Sequence, residues 1–147
     1  MRTKAIIVDI DGTLANSPHV AQFQEEGQIN WDAWIKATAY STVYEWCREV
    51  VNNFAISGYK IIFLTARSEE NNGRKITNDW LKRTIIGDYE LYMRQEGDSR
   101  PDTVIKKEIY IRDIAHKYDV SFALDDKKAI IDMWRELDIP ALHCADY

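Results

Sequence analysis

Cysteine is nearly absent from this sequence: only Cys47 and Cys144 occur, far apart and without metal-ligand spacing. That excludes a disulfide framework and a thiolate metal site, and leaves two reduced, structural thiols. His116 and His143 show no ligand spacing either and read as structural. No apolar run approaches the roughly 20 residues of a transmembrane helix. The N-terminal MRTKAIIVDI is too short in apolar residues for a signal peptide, so a cytoplasmic, membrane-free protein is expected. Basic residues are in deficit, with a formal net charge of −5. An extended nucleic-acid-binding face, which is normally basic, is therefore not expected. A local basic pocket that grips one phosphate is still compatible with that charge. Internal repeats, low-complexity tracts and long linkers are also missing.

What is present suits one domain. The 147 residues are 46% hydrophobic and 29% charged, a globular balance. Apolar runs at 4–9 (KAIIVD), 59–64 (YKIIFL), 89–93 (YELYM), 120–124 (VSFAL) and 141–144 (ALHC) predict strands. Between them, residues 73–84, 102–118 and 127–138 carry apolar residues at helical spacing. Strands alternating with helices predict an α/β fold, with a central parallel sheet of about five strands flanked by helices. Residues 15–57 break this alternation, show no strand-like run and turn helical from Asn30 onward. They read as a small helical cap inserted after the first strand, with core segments 1–14 and 58–147. Trp31, Trp34, Tyr40, Tyr44 and Trp46 crowd this cap. They read as its hydrophobic core, with room for one to face a nucleobase.

The chemistry starts at VDIDGTL. Ligands of open parallel sheets bind beyond the carboxyl ends of the strands, where Asp9 falls. A carboxylate there can attack phosphorus. Asp11, two residues on, can protonate the leaving oxygen and later deprotonate water, which predicts a raised pKa beside its acidic neighbours. Gly12 lets backbone approach a phosphate. Thr65, in FLTAR, can donate to a phosphate oxygen, and Arg67 can hold one through two hydrogen bonds. Lys106 and Lys107 lie about 100° apart on a helix, so only one can face the nucleophile. Asp125 and Asp126 end the fourth strand. With Asp9 and the Asp11 loop they form an oxygen-rich set that suits Mg²⁺. Which of the pair binds metal directly stays open, and Asp126 also fits the N-cap of the following helix.

These elements resemble the haloacid dehalogenase (HAD) superfamily, whose four motifs match DIDGT, Thr65, the lysine and Asp125-Asp126. The resemblance implies a Rossmann-like HAD fold, a phosphomonoester hydrolase and Mg²⁺ as cofactor. MRQEGDSRPDTVIKKEIY and HKYDVSFALDDKKAIIDMW look like the 3′-phosphatase half of the bacteriophage polynucleotide kinase–phosphatase family. That match places the motif lysine at Lys106 and implies substrate-binding roles for Thr65, Arg67, Arg100 and Asp102. The substrate it implies is a phosphorylated nucleic-acid end, with a free nucleotide as the alternative. A homodimer and a non-catalytic binding module are carried as further expectations. Two departures stand out. There is no GxxxxGK[ST] loop, hence no kinase half in this chain. The cap arginine of the phage enzyme has no counterpart in ANSPHVAQF, so either His19 substitutes or the substrate differs.

Overall fold

The computed structural model describes residues 1–144. In chain order its elements are β1 (Thr3–Val8), β2 (Ala15–Asn16), β3 (Gln24–Glu25), β4 (Gln28–Ile29), α1 (Trp31–Thr38), β5 (Thr42–Val43) and α2 (Glu45–Ile56). There follow β6 (Lys60–Ser68), α3 (Gly73–Thr84), β7 (Tyr89–Arg94), α4 (Asp102–Ile109), β8 (Tyr118–Asp125), α5 (Lys128–Glu136) and β9 (Ala141–His143). Five strands form one parallel sheet in the order β7-β6-β1-β8-β9. Residues 145–147, the end of the expected core segment, lie outside the described residues. No helix among the described residues is long and apolar enough to cross a membrane.

The continuous apolar runs follow from burial of both sheet faces. Ala5 and Ile7 of β1 point to a cluster with Ile105, Ile109, Ile130 and Trp134 from α4 and α5. Ile6 and Val8 point the other way, to Cys47, Val51, Trp80 and Leu81 from α2 and α3. Alternate side chains of the central strand thus feed two cores, and β1 has no polar face to offer. Both cysteines are free and buried in the second cluster. Burial pushes the Cys144 thiol up to about 11, which makes it unreactive.

Several expectations are corrected. The segment before β6 is not purely helical: two two-stranded antiparallel ladders, β2 with β5 and β3 with β4, fold back its turns. Each ladder has only two residue pairs, too short to leave an alternating pattern. The expected helix over 102–118 ends at Ile109 and continues as a wider π turn over Tyr110–Ile114. The second core strand runs past Leu64 to Ser68, but its pairing with β7 is interrupted between Leu64 and Ser68. Thr65, Ala66 and Arg67 fill that interruption, at the end of the sheet where Asp9 emerges.

Candidate active site

Asp9 is the first residue beyond the central strand, and its N–H still donates to the Leu124 carbonyl of β8 (3.0 Å). The chain then turns tightly. Thr13, Leu14 and Ala15 all donate backbone N–H groups to the Ile10 carbonyl, at 3.2, 3.0 and 2.8 Å. Gly12 sits in that turn with φ 81°. A Cβ at this position would clash with Asp126 Oδ2. Glycine therefore permits both the backbone conformation and the close approach of the second acidic loop.

A buried ion triad forms at the centre of the site. Lys106 Nζ donates to Asp9 Oδ1 (2.9 Å) and to Asp125 Oδ2 (2.7 Å). All three residues are buried, whereas Lys107 is exposed. The facing direction that helical period alone left open is settled by packing: Ile105 and Ile109 anchor α4 in the core, and Lys106 follows them inward. Burial disfavours the Lys106 ammonium, but the Asp9 and Asp125 carboxylates outweigh it and hold its pKa above the usual lysine value. Burial and the adjacent Asp125 push Asp9 well above the usual carboxylate range, against the pull of Lys106.

Oxygen atoms of Asp9, Asp125 and Asp126 lie within 4.8 Å of one another. Thr13 Oγ1 bridges two of these residues, donating to Asp9 Oδ2 (3.3 Å) or Asp126 Oδ1 (3.4 Å). Three carboxylates facing one ammonium leave excess negative charge in a buried site. An all-oxygen donor set of that charge fits a hard divalent cation. The Asp11 carboxylate is not among these converging groups.

Asp11 turns instead toward Arg67. The guanidinium donates through Nε and Nη2 to Asp11 Oδ2 (2.8 Å) and Oδ1 (2.6 Å), a two-pronged pair. Nη1 donates to Thr77 Oγ1 (3.0 Å), and the group lies 5.6 Å from the Trp34 ring. Ser17 Oγ also hydrogen-bonds Asp11 Oδ1. The expected raised pKa of Asp11 is therefore corrected. Burial would raise it, but Arg67 and Ser17 hold the carboxyl below its usual range. Thr65 is buried beside this pair and accepts from the Arg67 N–H (3.2 Å). Among the described residues its own O–H has no acceptor and is left to donate.

Not every expected residue arrives here. Arg100 is half-exposed and bound to Asp98 and Glu108, away from Asp9. Asp102 accepts from Arg94 (2.7 Å) and Lys127 (2.8 Å) and so is already committed to two cations. Arg94 further donates to the carbonyls of Ala66, Asp98 and Arg100. The GDSRPD loop is thus fastened to β6 and β7, and it fixes the start of the helix that carries Lys106. Asp126 does not cap α5: Asp125 Oδ1 accepts the Lys127 N–H (3.0 Å), and the cap position falls on Lys127. Sequence reasoning missed Ser17, Thr77 and Lys127. Ser17 and Thr77 carry no motif, whereas Lys127 directly follows the acid pair. His143, read as structural, contacts the Asp126 carbonyl (2.9 Å).

Beside Ser17 a cavity of about 640 Å³ opens between the turn at 16–22 and the turn at 40–42. Its lining holds no lysine, arginine, aspartate or glutamate. The aromatic residues nearby are divided rather than forming one core: Trp34 is buried, whereas Tyr40 and Trp31 are exposed.

A family model for the polynucleotide kinase PNKP phosphatase domain (HAD_PNKP) matches residues 3–147. The putative bifunctional polynucleotide kinase/RNA ligase of Autographa californica nuclear polyhedrosis virus is 25% identical over 148 residues, covering 98% of this chain and 20% of that protein. A chain in a solved structure of the Pnkp1/Rnl/Hen1 RNA repair complex is 34% identical with TM-score 0.80, covering 97% of this chain and 42% of that one. A second structure of that complex gives 34% identity and TM-score 0.78, covering 99% and 48%. A hydrolase from Streptococcus pneumoniae TIGR4 shares the fold at TM-score 0.58 and 11% identity, covering 99% and 95%. The chain spans about a fifth of the curated relative and less than half of each repair-complex chain.

Proposed function

The chain belongs to the polynucleotide kinase phosphatase-domain family and is a phosphoric monoester hydrolase of the HAD type; from this premise we propose that it removes 3′-terminal phosphates from DNA or RNA ends, with Asp9 as nucleophile and Mg²⁺ as cofactor. The observation that carries this reading is the ion triad, in which a buried ammonium holds Asp9 at the end of the central strand. We read residues 15–57 as a cap over the core formed by the rest of the domain.

In this account Asp9, Asp125 and Asp126, with a carbonyl of the Asp11 loop, would hold Mg²⁺, which when bound would supply charge that offsets the phosphate and favours ionised Asp9. Thr65 donates to a non-bridging phosphate oxygen, and Lys106 offsets negative charge on Asp9 as it attacks. An Asp9 oxygen forms a bond to phosphorus as the bond to the leaving oxygen breaks. That oxygen takes a proton from Asp11. Water then attacks phosphorus, Asp11 accepts its proton, and Asp9 and inorganic phosphate are released.

Asp11 must carry a proton for the first step, yet the Arg67 pair keeps it ionised in the free protein. The account therefore requires Arg67 to move at least one arm from Asp11 to the incoming phosphate. Losing that partner raises the Asp11 pKa toward its acid role. Arg67 thereby couples phosphate binding to readiness of the acid.

A second reading, a phosphatase of free nucleotides or another small ester, is favoured by the uncharged cavity beside Ser17. Release of phosphate from a 3′-phosphorylated oligonucleotide, compared with 3′- and 5′-mononucleotides, separates the two. The proposal expects the oligonucleotide to be preferred, and activity confined to 5′-mononucleotides would sink it. Chelation is expected to abolish turnover and added Mg²⁺ to restore it. Full activity after chelation would count against the carboxylate site.

A further inference from the structure

We infer that the cavity beside Ser17 is the seat of the leaving group's terminal nucleoside, with the sugar against the Ser17–Ser41 hydroxyls and the base against Tyr40. This deepens the phosphatase reading and rests on it.

Three observations carry it. The first is connection. Ser41 Oγ lies 3.4 Å from Ser17 Oγ, and Ser17 in turn bonds Asp11. A chain of hydroxyls thus runs from the cavity to the carboxyl assigned to protonate the leaving oxygen. A group filling the cavity is therefore the part of the substrate just beyond the bond that breaks. The second is chemistry. The wall combines hydroxyl, amide and imidazole groups (the two serines, Asn16, Gln22, Thr42) with the apolar surfaces of Pro18 and Ala37, and carries no lysine, arginine, aspartate or glutamate. Such a lining matches a neutral, hydrogen-bonding occupant and offers no cation for a second phosphate. It is a depression of about 640 Å³, largely open to solvent, with room for one nucleoside while the rest of a strand leads away. The third is the rim. Tyr40 lines the cavity yet is 89% exposed, so its ring has an open face. A flat, sequence-tolerant π surface is what a base can stack upon.

His19 also lines the cavity. Its Nδ1 accepts the Ala21 N–H (3.1 Å), which turns the other ring nitrogen outward as a donor. It therefore serves as a hydrogen-bonding group in the wall.

The test uses the full chain with Mg²⁺ and three substrates. Two are 3′-phosphorylated oligonucleotides that differ only at the last residue, one with a base and one abasic. The third is p-nitrophenyl phosphate, which has no nucleoside. Wild-type protein is expected to favour the base-bearing end over the abasic end by about tenfold in kcat/KM, mostly through KM. Tyr40→Ala should erase most of that ratio, and Tyr40→Phe should keep it. Since Tyr40 is exposed, the substitution does not threaten folding. Equal kcat/KM for the two ends in wild type overturns the inference while leaving the phosphatase reading intact. So does a ratio that Tyr40→Ala leaves in place. Absence of wild-type activity on all three substrates overturns the phosphatase reading itself, and this inference with it.

Discussion

Asp9→Asn is expected to lower kcat by on the order of 10⁴ to 10⁶, the range seen when a nucleophilic or coupled catalytic group is removed. The fold should survive and indeed gain stability. Burial and Asp125 push the Asp9 pKa well above its ordinary value. The sign follows from linkage. A folded-state pKa above the unfolded one gives stability that is present below the unfolded pKa and lost as pH rises through the folded pKa. At neutral pH, without metal, the buried Asp9 carboxyl therefore weakens the fold. Replacing it with asparagine removes one of three crowded carboxyl groups while Lys106 keeps Asp125 as partner. Thermal melts in chelator should show a higher Tm for the variant, by about 2–4 °C for each kcal/mol gained. Adding Mg²⁺ should narrow the gap, because only the wild-type site has three carboxylates to bind it. A variant with near-normal turnover would refute Asp9 as nucleophile.

Lys106→Met should have the opposite effect on stability and the same effect on activity. Methionine matches the length of the aliphatic stem but leaves Asp9 and Asp125 side by side without their ammonium. Breaking a buried ion pair in this way costs about 3–5 kcal/mol, equivalent to roughly 6–20 °C in Tm. The loss should shrink as pH falls, since protonating the two carboxyl groups removes the repulsion. It should also shrink with Mg²⁺, which supplies positive charge to the same oxygens. In the wild type, the raised Lys106 pKa means that its contribution holds through neutral pH and is lost only as pH rises beyond the ordinary lysine range. Denaturation in chelator at two pH values measures both effects. A variant as stable as wild type at neutral pH would show that the lysine does not hold the carboxylates together.

The sheet was legible because its inner strands β1 and β6 are buried on both faces and read as apolar runs, with β7, β8 and β9 as weaker runs beside them. The run ending at Leu64 stopped short of the observed strand because Thr65, Arg67 and Ser68 are polar, Thr65 and Arg67 lying at the site and Ser68 accepting the Glu70 N–H. The cap ladders were not legible, since a two-residue pair leaves no period. Asp9, Thr65 and the acid pair could be located because each sits where a strand leaves the sheet. The Arg67–Asp11 pair could not, because its members are 56 residues apart and nothing local distinguishes an arginine poised for phosphate from one already held by a carboxylate. The same limit explains Arg100. A motif match marks the loop that contains it, but the structure shows that this loop works through Arg94 and Asp102 to hold α4, while Arg100 pairs with Asp98 and Glu108. Helical period alone could not separate Lys106 from Lys107; the family resemblance pointed to Lys106, and packing puts Lys106 on the buried face of α4.

The central claim is that Asp9 forms a covalent bond to phosphorus. Rapid mixing of the protein with a labelled 3′-phosphorylated oligonucleotide and Mg²⁺, followed by acid quench and peptide mapping, tests it most directly. The account predicts a transient, hydroxylamine-labile phosphoryl group on the peptide containing Asp9, absent in Asp9→Asn. Trapping of the label on another residue would contradict it, as would inversion of configuration at phosphorus during turnover, the mark of direct attack by water.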